Sequence, residues 1–172
     1  IEQFLFNGGK LFISGSEIGY DLFEKGNIKD KLFYEKYLRA EYKVDAVGGK
    51  QENYNIIGTP GALFDGLNFS FDDGTHGTYD VDWPDGIKPI LNSEINLKFE
   101  GVDYIEQGGA GISFRGEFGG SPLSGGLVYI SIGFESIYPE ETRNELMGRV
   151  MNYLDDPLAS IDKNQIIKTI NE

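Results

Sequence analysis

The chain has no cysteine in its 172 residues. That absence removes disulfides, zinc–thiolate sites and a cysteine nucleophile, while leaving the compartment open. Positive charge is also scarce: 15 Lys and Arg stand against 28 Asp and Glu, a formal charge of −13. Such a surface repels polyphosphate and anionic lipid, so nucleic acid and an anionic membrane are disfavoured as partners. A cation, or a neutral ligand such as a carbohydrate or peptide, fits better. No apolar run approaches the roughly 18 residues that would suggest a membrane-spanning helix, so no membrane insertion is expected. Histidine and tryptophan occur once each, as His76 and Trp83. No signal-peptide pattern, internal repeat or low-complexity tract is present. Ile1 is not a natural start, and Ile1 to Asn7 reads as the last turns of a helix capped by Gly8. The chain is therefore expected to be a piece of a longer polypeptide, with other domains of that polypeptide as its partners.

What is abundant is glycine, at 24 residues, in a chain that is 40% apolar and long enough for one domain with a sizeable core. Residues 1–154 read as that domain and 155–172 as a linker or exit segment. The organising stretch runs from Gly8 to Tyr20: a Gly-Gly turn, the short apolar strand Lys10 to Ser14, then a corner bracketed by Gly15 and Gly19. In α/β folds such a corner lies at the carboxyl end of a strand, where sites are usually built. Its tip here is Glu17.

Beyond the corner, helical spacing of Phe33, Tyr37, Leu38 and Tyr42 predicts a helix over Asp30 to Tyr42. Strands are expected at Tyr42–Val47, Tyr54–Ile57, Leu67–Phe71, Ile95–Phe99 and Gly111–Phe114. Leu127 to Ile132 is a second strongly apolar strand, again ending at a glycine. The two apolar strands are expected to lie central, adjacent and parallel. A helix from Pro139 to Leu154 closes the domain, with Glu140 and Glu141 complementing its positive end and Leu146, Met147, Val150, Met151 and Leu154 on one face.

Two of these stretches carry a family resemblance. Asn7-Gly8-Gly9-Lys10-Leu11-Phe12-Ile13-Ser14-Gly15-Ser16-Glu17-Ile18-Gly19-Tyr20-Asp21-Leu22 resembles the strand and corner of class I glutamine amidotransferase-like domains. It is closest to the divergent ThuA-like kind found in secreted, multidomain bacterial proteins. Val128 to Glu135, with Pro139-Glu140-Glu141 and the final helix, resembles that family's closing strand, histidine loop and helix. The resemblance implies a flavodoxin-like three-layer α/β/α fold with a mostly parallel sheet. It also implies opening strands upstream of Ile1, a β-rich insertion over residues 48–110, and a secreted or cell-surface location. The family pattern places a cysteine where Glu17 stands and a histidine near Glu135, so amidotransferase chemistry is absent. The expectation is a non-catalytic accessory or binding module. The alternative is a hydrolase of another class using Glu17, Glu135 or His76.

Each candidate has two readings. Glu17 is either an acid–base carboxylate of raised pKa or a first-turn acid satisfying free amides. Glu135 is read the same way, and the two carboxylates are expected to meet at one rim with Arg115 nearby. Ser16 is displaced by one position from a nucleophile elbow. The loop Asp72 to Asp85 holds Asp72, Asp73, Asp80, Asp82 and Asp85. The spacing is not that of an EF-hand, so the favoured reading is an acidic solvated loop, with an oxygen set suited to Ca²⁺ as the alternative. Trp83 in the same loop is a stacking platform for sugar or a packed lid. No other cofactor is expected.

Overall fold

A computed structural model of the chain describes residues 1–156. The linker expected over 155–172 thus lies almost wholly outside the described residues. In chain order the elements are α1 (Glu2–Phe6), β1 (Lys10–Ser14), a π-helical turn (Tyr20–Glu24), α2 (Ile28–Tyr37) and β2 (Ala40–Val44). There follow β3 (Asn55–Gly58), β4 (Asn68–Phe71), β5 (Gly86–Pro89), β6 (Glu94–Phe99) and α3 (Tyr104–Gln107). The last are β7 (Gly111–Glu117), β8 (Ser124–Ile130), a 3₁₀ turn (Phe134–Ser136), β9 (Ile137–Tyr138) and α4 (Glu140–Asp155).

Seven strands form one curled sheet in the order β1-β8-β7-β6-β3-β4-β9, and β2 pairs with β5 in a separate ribbon. Only β1 and β8 run parallel, with Lys10 opposite Gly126 and Ser14 opposite Ile130. Every other pairing in the large sheet is antiparallel. This overturns the expected mostly parallel, flavodoxin-like sheet. The physical reason is the long hairpin of β7 and β8, joined by a glycine-rich turn over residues 118–123, which reverses the chain without a crossover helix. The middle of the chain is not an insertion either, because β3, β4 and β6 belong to the main sheet. The two apolar strands are adjacent and parallel, but β1 is an edge strand rather than a central one. Its residues are accordingly half-buried, whereas β8 is buried after its first residue.

Side chains of β8 alternate between two covered faces. Leu127 and Tyr129 meet Leu5 of α1 and Tyr34 and Leu38 at α2. Val128 and Ile130 face Leu146, Val150 and Leu154 of α4, in one cluster with Ile56, Phe71, Leu97 and Phe99. Each fully buried side chain of this size contributes about 1.5–3 kcal/mol. Helix α2 begins at an Asn27 capping box: Asn27 Oδ1 accepts from the Lys29 and Asp30 amides, and Asp30 Oδ2 accepts from the Asn27 amide. The helix ends at Tyr37 instead of running to Tyr42, because Arg39 adopts a left-handed backbone at φ 53° and β2 starts at Ala40.

Candidate carboxylate site at the parallel edge

The parallel pair has one carboxyl end, and the corner after β1 sits there. Asp85 clamps that corner from below. Its amide donates to the Ser16 carbonyl at 2.8 Å. Its Oδ2 accepts from the amides of Gly19 at 2.6 Å and Tyr20 at 3.2 Å. Asp85 is fully buried, and its Oδ1 has no hydrogen-bond partner among the described residues. Burial pushes its carboxyl up to about 8, with Asp45 and Glu17 adding to the shift and the Tyr20 and Gly19 amides opposing it.

Gly19 is required for space. A Cβ there would stand 2.7 Å from the Tyr34 hydroxyl, 2.9 Å from the Tyr42 ring and 3.0 Å from Asp85 Oδ2. Beneath lie the hydroxyls of Tyr34 and Tyr129, buried side by side, and among the described residues neither makes a hydrogen bond of good geometry. Burial raises both phenols.

Above this floor, Glu17 stands exposed at the tip. Burial of part of its carboxyl raises its pKa, and Asp45 and Asp21 raise it further while Lys25 opposes them. Asp45, after β2, is raised by burial and by Asp82, against the Ala46 amide and Lys25. Asp82 pairs with Lys50 at 3.2 Å. Trp83 follows it, 36% exposed, with the Lys50 ammonium 5.1 Å from its ring centroid. Lys25 in turn lies 4.4 Å from the centroid of Tyr20. The rim thus presents carboxylate acceptors beside aromatic faces.

The other candidates lie elsewhere. Glu135, on the 3₁₀ turn, accepts from the Tyr79 hydroxyl at 2.8 Å, while Glu17 is surrounded by Asp45, Asp21, Lys25 and Asp82. The two carboxylates follow neighbouring strands, yet each is engaged with a different group. Arg115 sits opposite Gly126, at the far end of β8, because β7 runs antiparallel. There its Nη1 donates to the Asp156 carbonyl at 3.2 Å and its guanidinium covers Tyr153. Ser16 is held through its carbonyl by Asp85, and His76 stacks on Tyr138 at 3.7 Å.

The five loop aspartates divide into two groups. Asp82 and Asp85 join the rim. Asp80 accepts from Tyr54 at 2.5 Å and from Gln51 at 2.6 Å. Asp72, Asp73 and His76 are the only described residues offering three ligand atoms within 4.8 Å of one another. Asp72, however, already accepts from the Gly74, His76 and Thr78 amides and the Thr78 hydroxyl, at 2.7–2.9 Å. Those four bonds use the acceptor sites of one carboxylate. They hold Asp72 well below the usual carboxylate range, although burial alone would push it up.

Sequence reasoning missed Asp45 and Asp21 at the rim and read Asp85 as part of a solvated acidic loop or a metal ligand, not as the buried clamp on the corner. Asp45 had one local signal, its place at a strand end before Gly48-Gly49.

The fold and rim together define a mixed α/β protein on a curled, mostly antiparallel sheet, with an acidic site at its single parallel edge. No protein-family model, curated protein or solved structure matches the chain. The likeness to amidotransferase-like domains rests on its two stretches alone.

Proposed function

We propose that the protein is a non-catalytic binding module whose ligand lies across the acidic rim, and that this ligand is a glycan. The observation that carries the reading is the grouping of Glu17, Asp45 and Asp82, with the partly exposed Trp83 next to Asp82 in the chain and sharing Lys50 with it. Carboxylates accept from sugar hydroxyls, and an indole face covers the apolar side of a pyranose ring. The net charge of −13 also favours a neutral ligand over an anionic one. The binding reading is supported by Glu135 being tied to Tyr79 and His76 being stacked on Tyr138, neither engaged with Glu17 or Ser16.

The test is calorimetric titration with a panel of neutral oligosaccharides, with a lysine-rich peptide as the comparison. Trp83→Ala and Glu17→Gln are each expected to weaken glycan binding about tenfold, the equivalent of roughly 1.4 kcal/mol. Asp73→Asn, in the other aspartate group, leaves it unchanged. Binding of the peptide alone would replace glycan with a cationic ligand. Release of cleaved sugar during the titration would end the non-catalytic reading.

A further inference from the structure

A second site lies away from the rim, around Arg39. The residue follows α2 and is 8% exposed. Its guanidinium lies 3.4 Å from the ring centroid of Phe114 and 4.9 Å from that of Phe118. Nη1 donates to the Leu91 carbonyl and Nη2 to the Glu117 carbonyl, the latter at 2.7 Å. Among the described residues Nε has no hydrogen-bond partner and no carboxylate forms an ion pair with Arg39.

Burial lowers its pKa to about 10, so the group stays charged at neutral pH. The two carbonyls and the negative end of α2 spread this charge but supply no counter-charge. Buried charges in proteins are as a rule paired, because an uncompensated one costs several kcal/mol. In a chain with 28 acidic residues, a buried guanidinium left without one points to a partner from outside.

The surroundings suit such a partner. Arg39 lines an open concavity of about 280 Å³ with Lys36, Tyr37, Asn92, Gly119 and Gly120. Lys36 is exposed and has no ion-pair partner among the described residues. Arg39, Leu91 and Asn92 all hold left-handed backbones here, at φ 53°, 52° and 66°, a conformation costly for side chains other than glycine. Leu91 and the exposed Glu117 complete the wall. The Glu117 carboxylate opposes an anion, which limits its affinity.

We propose that this concavity binds an oxyanion, the phosphate or carboxylate group of a small ligand, with Arg39 as the buried anchor and Lys36 at the mouth. The bonds expected are charge-assisted N–H···O contacts, which are stronger than neutral ones.

The experiment is an NMR titration of the full chain with inorganic phosphate and, separately, acetate. It follows the Arg39 Nε–H and the Gly119 and Gly120 amides. These resonances are expected to move in a saturable way. A response to phosphate alone assigns a phosphoryl group, and a response to both admits a carboxylate. Arg39→Lys removes the carbonyl bridges and risks the fold, so two surface variants carry the test. Lys36→Gln should weaken binding about tenfold, and Glu117→Gln should strengthen it by a similar factor. Resonances that stay in place, or affinities indifferent to both surface variants, would overturn the proposal.

Discussion

Gly19 and Asp85 set the geometry of the rim between them. An added methyl at Gly19 meets the buried Tyr34 hydroxyl, the Tyr42 ring and the buried Asp85 carboxyl, all at or within 3.0 Å. Gly19→Ala is therefore expected to cost about 1–3 kcal/mol, as overpacking does, read as a lower midpoint in urea unfolding. An unchanged midpoint would mean that the corner is softer than its packing indicates. Asp85 makes stability depend on pH in a definite direction. Its folded pKa of about 8 lies above its ordinary value of 3.8, so between those limits the folded state holds a proton that the unfolded state has lost. Its contribution is complete below pH 3.8 and is lost as pH rises toward about 8. Asp85→Asn keeps an acceptor for the Gly19 and Tyr20 amides without a titrating proton. Unfolding free energy measured from pH ~5 to ~8 should fall by on the order of 1–3 kcal/mol more in the wild type than in the variant. Parallel profiles would refute the assignment.

At the scale of elements, the Asp72–Thr78 segment behaves as a closed unit. One carboxylate accepts three backbone amides and a hydroxyl, and these bonds tie the turn together. Asp72→Asn leaves one carbonyl oxygen to serve four donors. The Gly74, His76 and Thr78 amides should then exchange with deuterium about tenfold faster, with or without added Ca²⁺. Protection in the wild type that rises with Ca²⁺ would instead show a bound cation at this turn. Elements were also where the sequence was most legible. The strands at Leu67–Phe71 and Ile95–Phe99 and the helix from Pro139 appear within a residue or so of their expected bounds. The α2 terminus was not legible. The spacing of Phe33, Tyr37 and Tyr42 suggested continued helix, while the buried positions are Tyr34 and Leu38 and the chain turns at Arg39.

For the whole molecule, a charge of −13 on a chain this small means self-repulsion in the folded state. Part of it is felt at the rim, where Asp45, Asp21 and Asp82 all act on Glu17. Raising ionic strength from ~0.01 M to ~0.15 M shortens the screening length from about 30 to about 8 Å. The melting temperature is expected to rise by a few degrees over that range, and by less in Glu17→Gln. A melting temperature that falls with salt would show that the ion pairs of Lys10, Lys50 and Arg149 outweigh the repulsion.

By itself the sequence determined the short-range features. Alternation marked the strands, a 3.6-residue period marked α4, and glycines marked the corner, because each follows from neighbours a few residues apart. It also placed Lys10–Ser14 beside Leu127–Ile132 correctly, since two apolar runs ending in glycine fit a parallel pair. Only the tertiary structure decided the direction of the remaining strands. An apolar strand covered on both faces has the same composition whether its neighbour runs with it or against it. That choice moved Arg115 to the opposite end of β8 and brought β3, β4 and β6 into the main sheet. It also separated the loop aspartates, sending Asp82 and Asp85 to the rim and leaving Asp72 to hold its own turn. Which carboxylates meet depends on long-range contacts, such as that of Gly19 with Asp85 across 66 residues, and no local pattern encodes them.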